Sequence, residues 1–169
     1  MIDTGFLKKT NLFFGLSDTQ LEEIQKYMTE VHVKSGEVII RDGEKGNKMY
    51  LLLEGEVEVS KRLTLRVSQV GFDERDKQFI RLNAEQHPFF GEMALFEKES
   101  IRSATVTATE ESRLAVISKA NFEKLCESDY KIGYIILRNI IIVLCDRLNR
   151  ANRDILKITT AFSIALEGQ

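Results

Sequence analysis

Leu137, Ile141, Leu144, Leu148, Ala151, Ile155, Ile158, Phe162 and Ala165 follow one another at steps of 4, 3, 4, 3, 4, 3, 4 and 3. That spacing averages 3.5 residues over four heptads, and an α-helix gathers it into one stripe. A lone helix cannot bury such a stripe, so the segment packs on its own domain or against a copy of itself. The first half, through "IIIVL", is apolar on two faces and suits both roles. In the second half Asn152, Arg153 and Asp154 stand between Ala151 and Ile155 and leave one narrow seam, the kind two paired helices share. A homodimer through Leu137, Ile141, Leu144, Leu148 and Ile155 is expected, with packing on the same chain as the alternative.

Before residue 121 the period is different. "SDTQLEEIQKYM" (17–28) predicts a helix, with Ser17 or Asp18 as its cap and Leu21, Ile24 and Met28 at helical spacing. From residue 30 the apolar residues alternate, and Gly36, Gly43, Gly46 and Gly55 fall between the runs, where turns need positive φ. Turn spacings of seven to twelve residues point to a sandwich or barrel of short antiparallel strands. "KQFIRLNA", "SATVTAT" and "SRLAVIS" add further strands, and the charged "GFDERDKQ" (71–78) reads as a solvated hairpin tip.

Composition removes several function classes. The net charge of the 169 residues is −2, so no basic field draws nucleic acid. The tail "KITTAFSIALEGQ" holds no basic recognition helix, and nucleic acid is not an expected partner. The most apolar run, "IGYIILRNIIIVLC", is fourteen residues long and contains Arg138, too short and interrupted for a membrane span. No secretory leader is evident at the N-terminus. Cys126 and Cys145 lack metal spacing and read as buried free thiols of a reducing compartment, so a cytoplasmic location is expected. His32 and His87 share no motif, and no Ser/His/Asp or Cys/His set exists; neither an enzyme, a metal nor a cofactor is expected.

The chemistry is concentrated in "FFGEMALFEKESIRSATV" (89–106). Gly91 lets the backbone approach closely, and "EMALF" reads as a single helical turn whose first amides have no internal partners and favour an anion. Ten residues after Glu92 comes Arg102, whose planar fork suits two phosphate oxygens. Ser103 adds a hydroxyl donor and Ala104 leaves room. Glu92 would repel an anion and fits only beside a neutral group, such as a sugar hydroxyl. A molecule with one phosphate charge and a neighbouring ribose hydroxyl, as in a cyclic nucleotide, satisfies both halves. The bland alternative is a Glu92–Arg102 pair across the loop. On the first reading, removing Arg102 costs binding and little of the fold.

These residues, with the order of elements over roughly residues 8–155, resemble the cyclic-nucleotide-binding domain family. "LFFGLSDTQLEEI" is similar to its helical opening, "SGEVIIRDGEKGNKMYLLLEGEVEV" to its first strands, and "FFGEMALF…IRSA" to its phosphate-binding cassette. The resemblance implies a fold that is mainly β with flanking helices: an antiparallel β-sandwich or jelly-roll barrel, short N-terminal helices and a long C-terminal dimerisation helix. The binding roll would span 1–125 and the helix 126–169. It also implies that Glu92 holds the ribose 2′-hydroxyl, that Arg102 pairs with the cyclic phosphate, and that Gly91, Met93, Ala94 and Leu95 supply the turn, with Ser103 beside it. By position on the long helix, Arg147 and Asn152 become candidates for the base. Ser beside the Arg implies cAMP before cGMP. The expected function is a ligand sensor that signals through its C-terminal helix to a downstream protein not named by the sequence. The alternative is a ligand-independent dimerisation module with a degenerate pocket. The chain departs from the pattern in "EKES", which lacks a glycine before the Arg, in "EQHP", in Ile101 beside the Arg, and in a long hairpin through 61–80.

Overall fold

The computed structural model describes residues 2–66 and 72–167. The chain opens with α1 (Thr4–Lys9), a 3-10 turn at Asn11–Phe13 and α2 (Asp18–Gln25). Ser17 caps α2 in a reciprocal box: its hydroxyl accepts from the Gln20 amide, and the Gln20 side chain accepts from the Ser17 amide. Eight strands follow: β1 (Thr29–Val33), β2 (Val38–Ile40), β3 (Lys48–Glu54), β4 (Glu56–Arg66), β5 (Phe72–Asn83), β6 (Phe89–Phe90), β7 (Thr105–Ala108) and β8 (Ser112–Ser118). They form two four-stranded sheets in the orders β1-β8-β3-β6 and β2-β7-β4-β5, with every pairing antiparallel. α3 (Lys119–Ser128) and α4 (Tyr130–Glu167) close the chain. The expected β-sandwich with flanking helices is what forms. It is less dominated by strand than expected, because α4 alone takes 38 residues. Residue 126, expected at the start of the C-terminal element, lies inside α3, and the break between the last two helices falls at Asp129.

Two cores explain why β3 and β8 read as nearly continuous apolar runs. Alternate residues of a strand face opposite sides, and here both sides are covered. Met49, Leu51 and Leu53 of β3 and Ala115 and Ile117 of β8 face the helices, where they meet Leu7, Leu12, Leu21, Leu125, Ile132 and Ile136. Leu52 of β3 and Leu114 and Val116 of β8, together with Val33 of β1 and Phe90 of β6 in the same sheet, face the opposite sheet, against Ile40, Val57 and Val106. Each of these side chains other than that of Ala115, fully buried, contributes roughly 1.5–3 kcal/mol. Phe89 and Phe90 divide the same way, one to each core, so β6 is clamped from both faces just before the chain reaches Gly91.

Some expectations are corrected. The stretch 71–78, read as a hairpin tip, is strand from Phe72 onward, with residue 71 outside the described residues: a ladder is made by backbone groups, so a run of charged residues does not by itself end it. Gly36, Gly43 and Gly55 do have positive φ, but Gly46 does not. Cys145 is exposed on α4 and Cys126 only half-buried; both are free. On α4, the residues that pack against the domain include Ile132, Ile136, Asn139, Ile140 and Val143. The 3.5-residue stripe is a different face: Ile141, Leu148, Ile155, Ile158 and Phe162 are exposed, and only Leu144 leans on the core. No helix among the described residues is long and apolar enough to cross a membrane.

Candidate functional site: the Gly91 cradle

β6 pairs with β3, Phe90 opposite Tyr50 and Phe89 opposite Leu51, and the chain then turns sharply at Gly91, whose φ is 75°. That left-handed conformation is ordinary for glycine and costly for a residue with a Cβ. The 3-10 turn Glu92–Leu95 starts from it, as the sequence predicts for "EMAL". Ala94 and Leu95 are buried beneath the turn, while the Met93 side chain is exposed.

The loop returns through Ser100, which takes φ 51° without being glycine. Its hydroxyl donates to the carbonyls of Glu97 (2.9 Å) and Ala94 (3.2 Å), so local hydrogen bonds offset the strain of the missing glycine. Ser100 and Arg102 are then stitched to the β2–β3 loop. The amide of Gly46 donates to Ser100 O (3.0 Å), that of Arg102 to Glu44 O (2.9 Å), and that of Gly43 to Arg102 O (2.9 Å).

Arg102 is 8% exposed. Its Nη1 donates to Gly91 O (3.1 Å) and its Nη2 to Lys48 O (2.8 Å). Burial pulls the guanidinium's pKa down, and the nearby Tyr50 and Glu92 push it the other way. Its starting value is so high that it stays charged. Gly46 explains how the guanidinium fits: a Cβ there would lie 2.3 Å from Nε and 2.6 Å from Nη2. Tyr50 stacks on Phe90 with centroids 5.5 Å apart, and burial raises its phenol's pKa. A cleft of about 210 Å³ opens beside Arg102, lined by Ile40, Arg41, Lys45, Gly46 and Tyr50 among others.

Glu92 is 3% exposed and does not pair with Arg102. Its Oε1 accepts from Nη1 of Arg147 on α4 (2.8 Å), whose Nη2 donates to Phe89 O (2.9 Å). The Arg147 guanidinium also lies over the Phe89 ring, 5.3 Å from its centroid, a cation–π arrangement. The cross-loop pair held open by the sequence is therefore absent: Glu92 and Arg102 have separate partners.

Of the residues singled out in the sequence, Gly91, Glu92, Arg102 and Arg147 are brought together. Ser103 is exposed and its hydroxyl makes no hydrogen bond among the described residues, Ala104 is half-buried beyond it, and Asn152 is exposed on α4 away from these contacts. Sequence reasoning missed Tyr50, Gly46 and the Lys48 carbonyl. The signal for Gly46 was its place in "GEKGNK", where a second glycine so soon after Gly43 serves close approach and not a turn. Among the described residues no three His, Cys, Asp or Glu side chains could hold a metal ion together.

Comparison with known proteins accords with this geometry. The family model for the cyclic nucleotide-binding domain matches residues 30–129. The cAMP-dependent protein kinase regulatory subunit of Yarrowia lipolytica is 29% identical over 121 residues, 72% of this chain and 28% of that protein. The chain spans about a quarter to a third of the length of the first curated relatives it matches. A cyclic nucleotide-binding domain from Methylobacillus flagellatus superposes with a TM-score of 0.74 at 23% identity, over 90% of this chain and 80% of that one. The catabolite activator protein of Thermus thermophilus gives 0.73 at 22% identity, over 89% and 63%; both likenesses speak for the fold. With the cassette geometry and more than half of the chain matched, the protein belongs to the cyclic nucleotide-binding domain family.

Proposed function

We propose that this chain is a sensor that binds a cyclic nucleotide, cAMP in preference to cGMP, and passes occupancy on through α4 to a downstream protein. One observation carries the reading. Glu92 and Arg102, both buried, bracket the Gly91 turn without neutralising each other. A guanidinium has five N–H donors, and the two carbonyl bonds leave three for a phosphate. Glu92 keeps Oε2 for a sugar hydroxyl while Oε1 holds Arg147. The turn amides add a positive field where the phosphate charge would lie. α4 takes part directly, since Arg147 is on it; Arg147, Asn152 and Ser103 are the residues left to meet base and phosphate. The relative from Yarrowia lipolytica, named as a cAMP-dependent kinase's regulatory subunit, supports cAMP. The exposed stripe of α4 supports a homodimer through Leu148 and Ile155.

A second reading has its own support: Glu92 and Arg102 each already have a partner within the chain, as they would in a dimerisation module whose pocket takes no nucleotide. Calorimetric titration with cAMP, cGMP and 5′-AMP separates the two. The sensor binds cAMP near micromolar, about −8 kcal/mol, and 5′-AMP far more weakly. No heat with any of the three supports the second reading.

A further inference from the structure

Asn139 is a polar side chain where α4 is otherwise aliphatic. It is 4% exposed, between Ile136 and Ile140, which are also buried. Its Nδ2 donates twice, to Leu12 O (3.0 Å) and Phe14 O (2.9 Å), and its Oδ1 accepts from Arg138 Nη2 (3.3 Å). The two carbonyls belong to the N-terminal 3-10 turn and the residue after it. Apolar packing is tolerant of sliding and rotation, whereas a doubly donating amide fits at one position only; a buried polar group of this kind selects a register more than it adds stability. Arg147 lies eight residues further along the same helix. That is a rise of about 12 Å and about 80° beyond two full turns. A slip of one residue would move Arg147 by about 1.5 Å along the axis and about 100° around it. From there it could not reach Glu92, now 2.8 Å away, or the Phe89 carbonyl.

We propose that Asn139 is a positioning residue: by gripping the N-terminal turn it sets the phase of α4 so that Arg147 lands on Glu92. The N-terminal turn is thereby tied to the site through one rigid helix, and a change in the turn's placement is felt at Glu92. The part that concerns nucleotide affinity rests on the function proposed above; the part that concerns helix placement does not.

The test uses Asn139→Leu, which keeps bulk, and the milder Asn139→Ala. Nitroxide labels go on Cys145 and on Glu110→Cys, exposed in the turn between β7 and β8, with Cys126→Ser, and labelled protein is diluted with unlabelled protein so that only distances within one chain are read. Expected is a shifted or broadened distance distribution in the variants, with an unchanged circular dichroism spectrum. Expected too is an affinity for cAMP about tenfold weaker than wild type, but changed by less than about twofold when Arg147→Ala is already present. Distributions that superpose on wild type overturn the proposal, as does a full affinity loss that persists in the Arg147→Ala background. If neither variant keeps the wild-type spectrum, Asn139 supports the whole fold and the positioning role is overturned. A wild-type protein that binds no cyclic nucleotide would sink the proposed function and leave the distance measurement standing.

Discussion

Arg147 holds the carboxylate of Glu92 at 2.8 Å, while Arg102, ten residues from Glu92 in sequence, turns instead to the carbonyls of Gly91 and Lys48. The acid of the cassette thus belongs to the C-terminal helix and the base to the β-roll. On the function proposed above, a ligand that engages both would join the two parts of the molecule and so bias the placement of the 38-residue helix.

Arg102→Ala is expected to do two things at once. On the proposed function it removes the phosphate's partner, so cAMP binding should be lost in calorimetry. It also strands two part-buried carbonyls, each worth on the order of 1 kcal/mol. The urea midpoint should therefore fall, by a total of about 1–3 kcal/mol in stability, against the sequence-based expectation of little loss of fold. Arg102→Lys keeps the charge without the fork and should lie between. Undiminished affinity in Arg102→Ala would remove the guanidinium from the site.

Gly46→Ala tests the same guanidinium without touching it. The new methyl would overlap Arg102 Nε and Nη2, and the flexible side chain must give way. Affinity for cAMP should fall by at least about tenfold with the circular dichroism spectrum intact. In the Arg102→Ala background the substitution should have no further effect, since the two residues act through one contact. Additive losses would mean that Gly46 serves something other than the placement of Arg102.

Ser100 makes a stability series. Ser100→Gly removes the left-handed strain, worth roughly 1–2 kcal/mol, and with it hydroxyl bonds of about the same net worth; thermal denaturation should change little. Ser100→Ala keeps φ 51° and loses the bonds to Glu97 and Ala94, so it should cost about 1 kcal/mol. Ser100→Val should be worst, being β-branched at positive φ. An alanine variant as stable as wild type would show that the hydroxyl does not hold the loop.

The two-period pattern made the architecture legible, because a strand covered on one face and a helix with a stripe each write their geometry into residue order. Glu92 and Arg102 were legible as candidates for another reason: a turn glycine, an acid and an Arg before small residues suit a phosphate beside a sugar hydroxyl, and the resemblance to the family's cassette weighed that reading above a simple pair between them. What stayed hidden depends on contacts distant in sequence. The Glu92–Arg147 pair closes across 55 residues, and the Asn139 bond to Leu12 across 127. Ser100 was read as a missing glycine, since sequence does not show a hydroxyl folding back on its own loop. The two faces of α4 were also not separable by pattern alone: Ile140 and Ile141 are adjacent and equally apolar, yet one is buried and the other exposed.

That exposure supplies the last prediction. Leu148 and Ile155 are 61% and 60% exposed, large apolar groups one heptad apart on a helix that has already spent its other face on the domain. Burying such side chains in a paired helix would contribute roughly 1.5–3 kcal/mol each at full burial, and a glutamate at either position would set like charges against each other across the seam. The double variant Leu148→Glu, Ile155→Glu should sediment with the monomer mass of 19.4 kDa where wild type sediments at twice that. Leu156→Glu is the control: its side chain is as exposed as the others but lies about 100° around the helix from Ile155, off the seam, and it should leave the mass of the wild-type protein unchanged. A wild-type protein that is already a monomer, or a double variant that stays paired, would show that the stripe has another use. Calorimetry on the double variant adds a finer reading: since Glu92, Arg102 and Arg147 all come from one chain, a monomer should still bind cAMP, and loss of binding together with pairing would mean that a second copy completes the site.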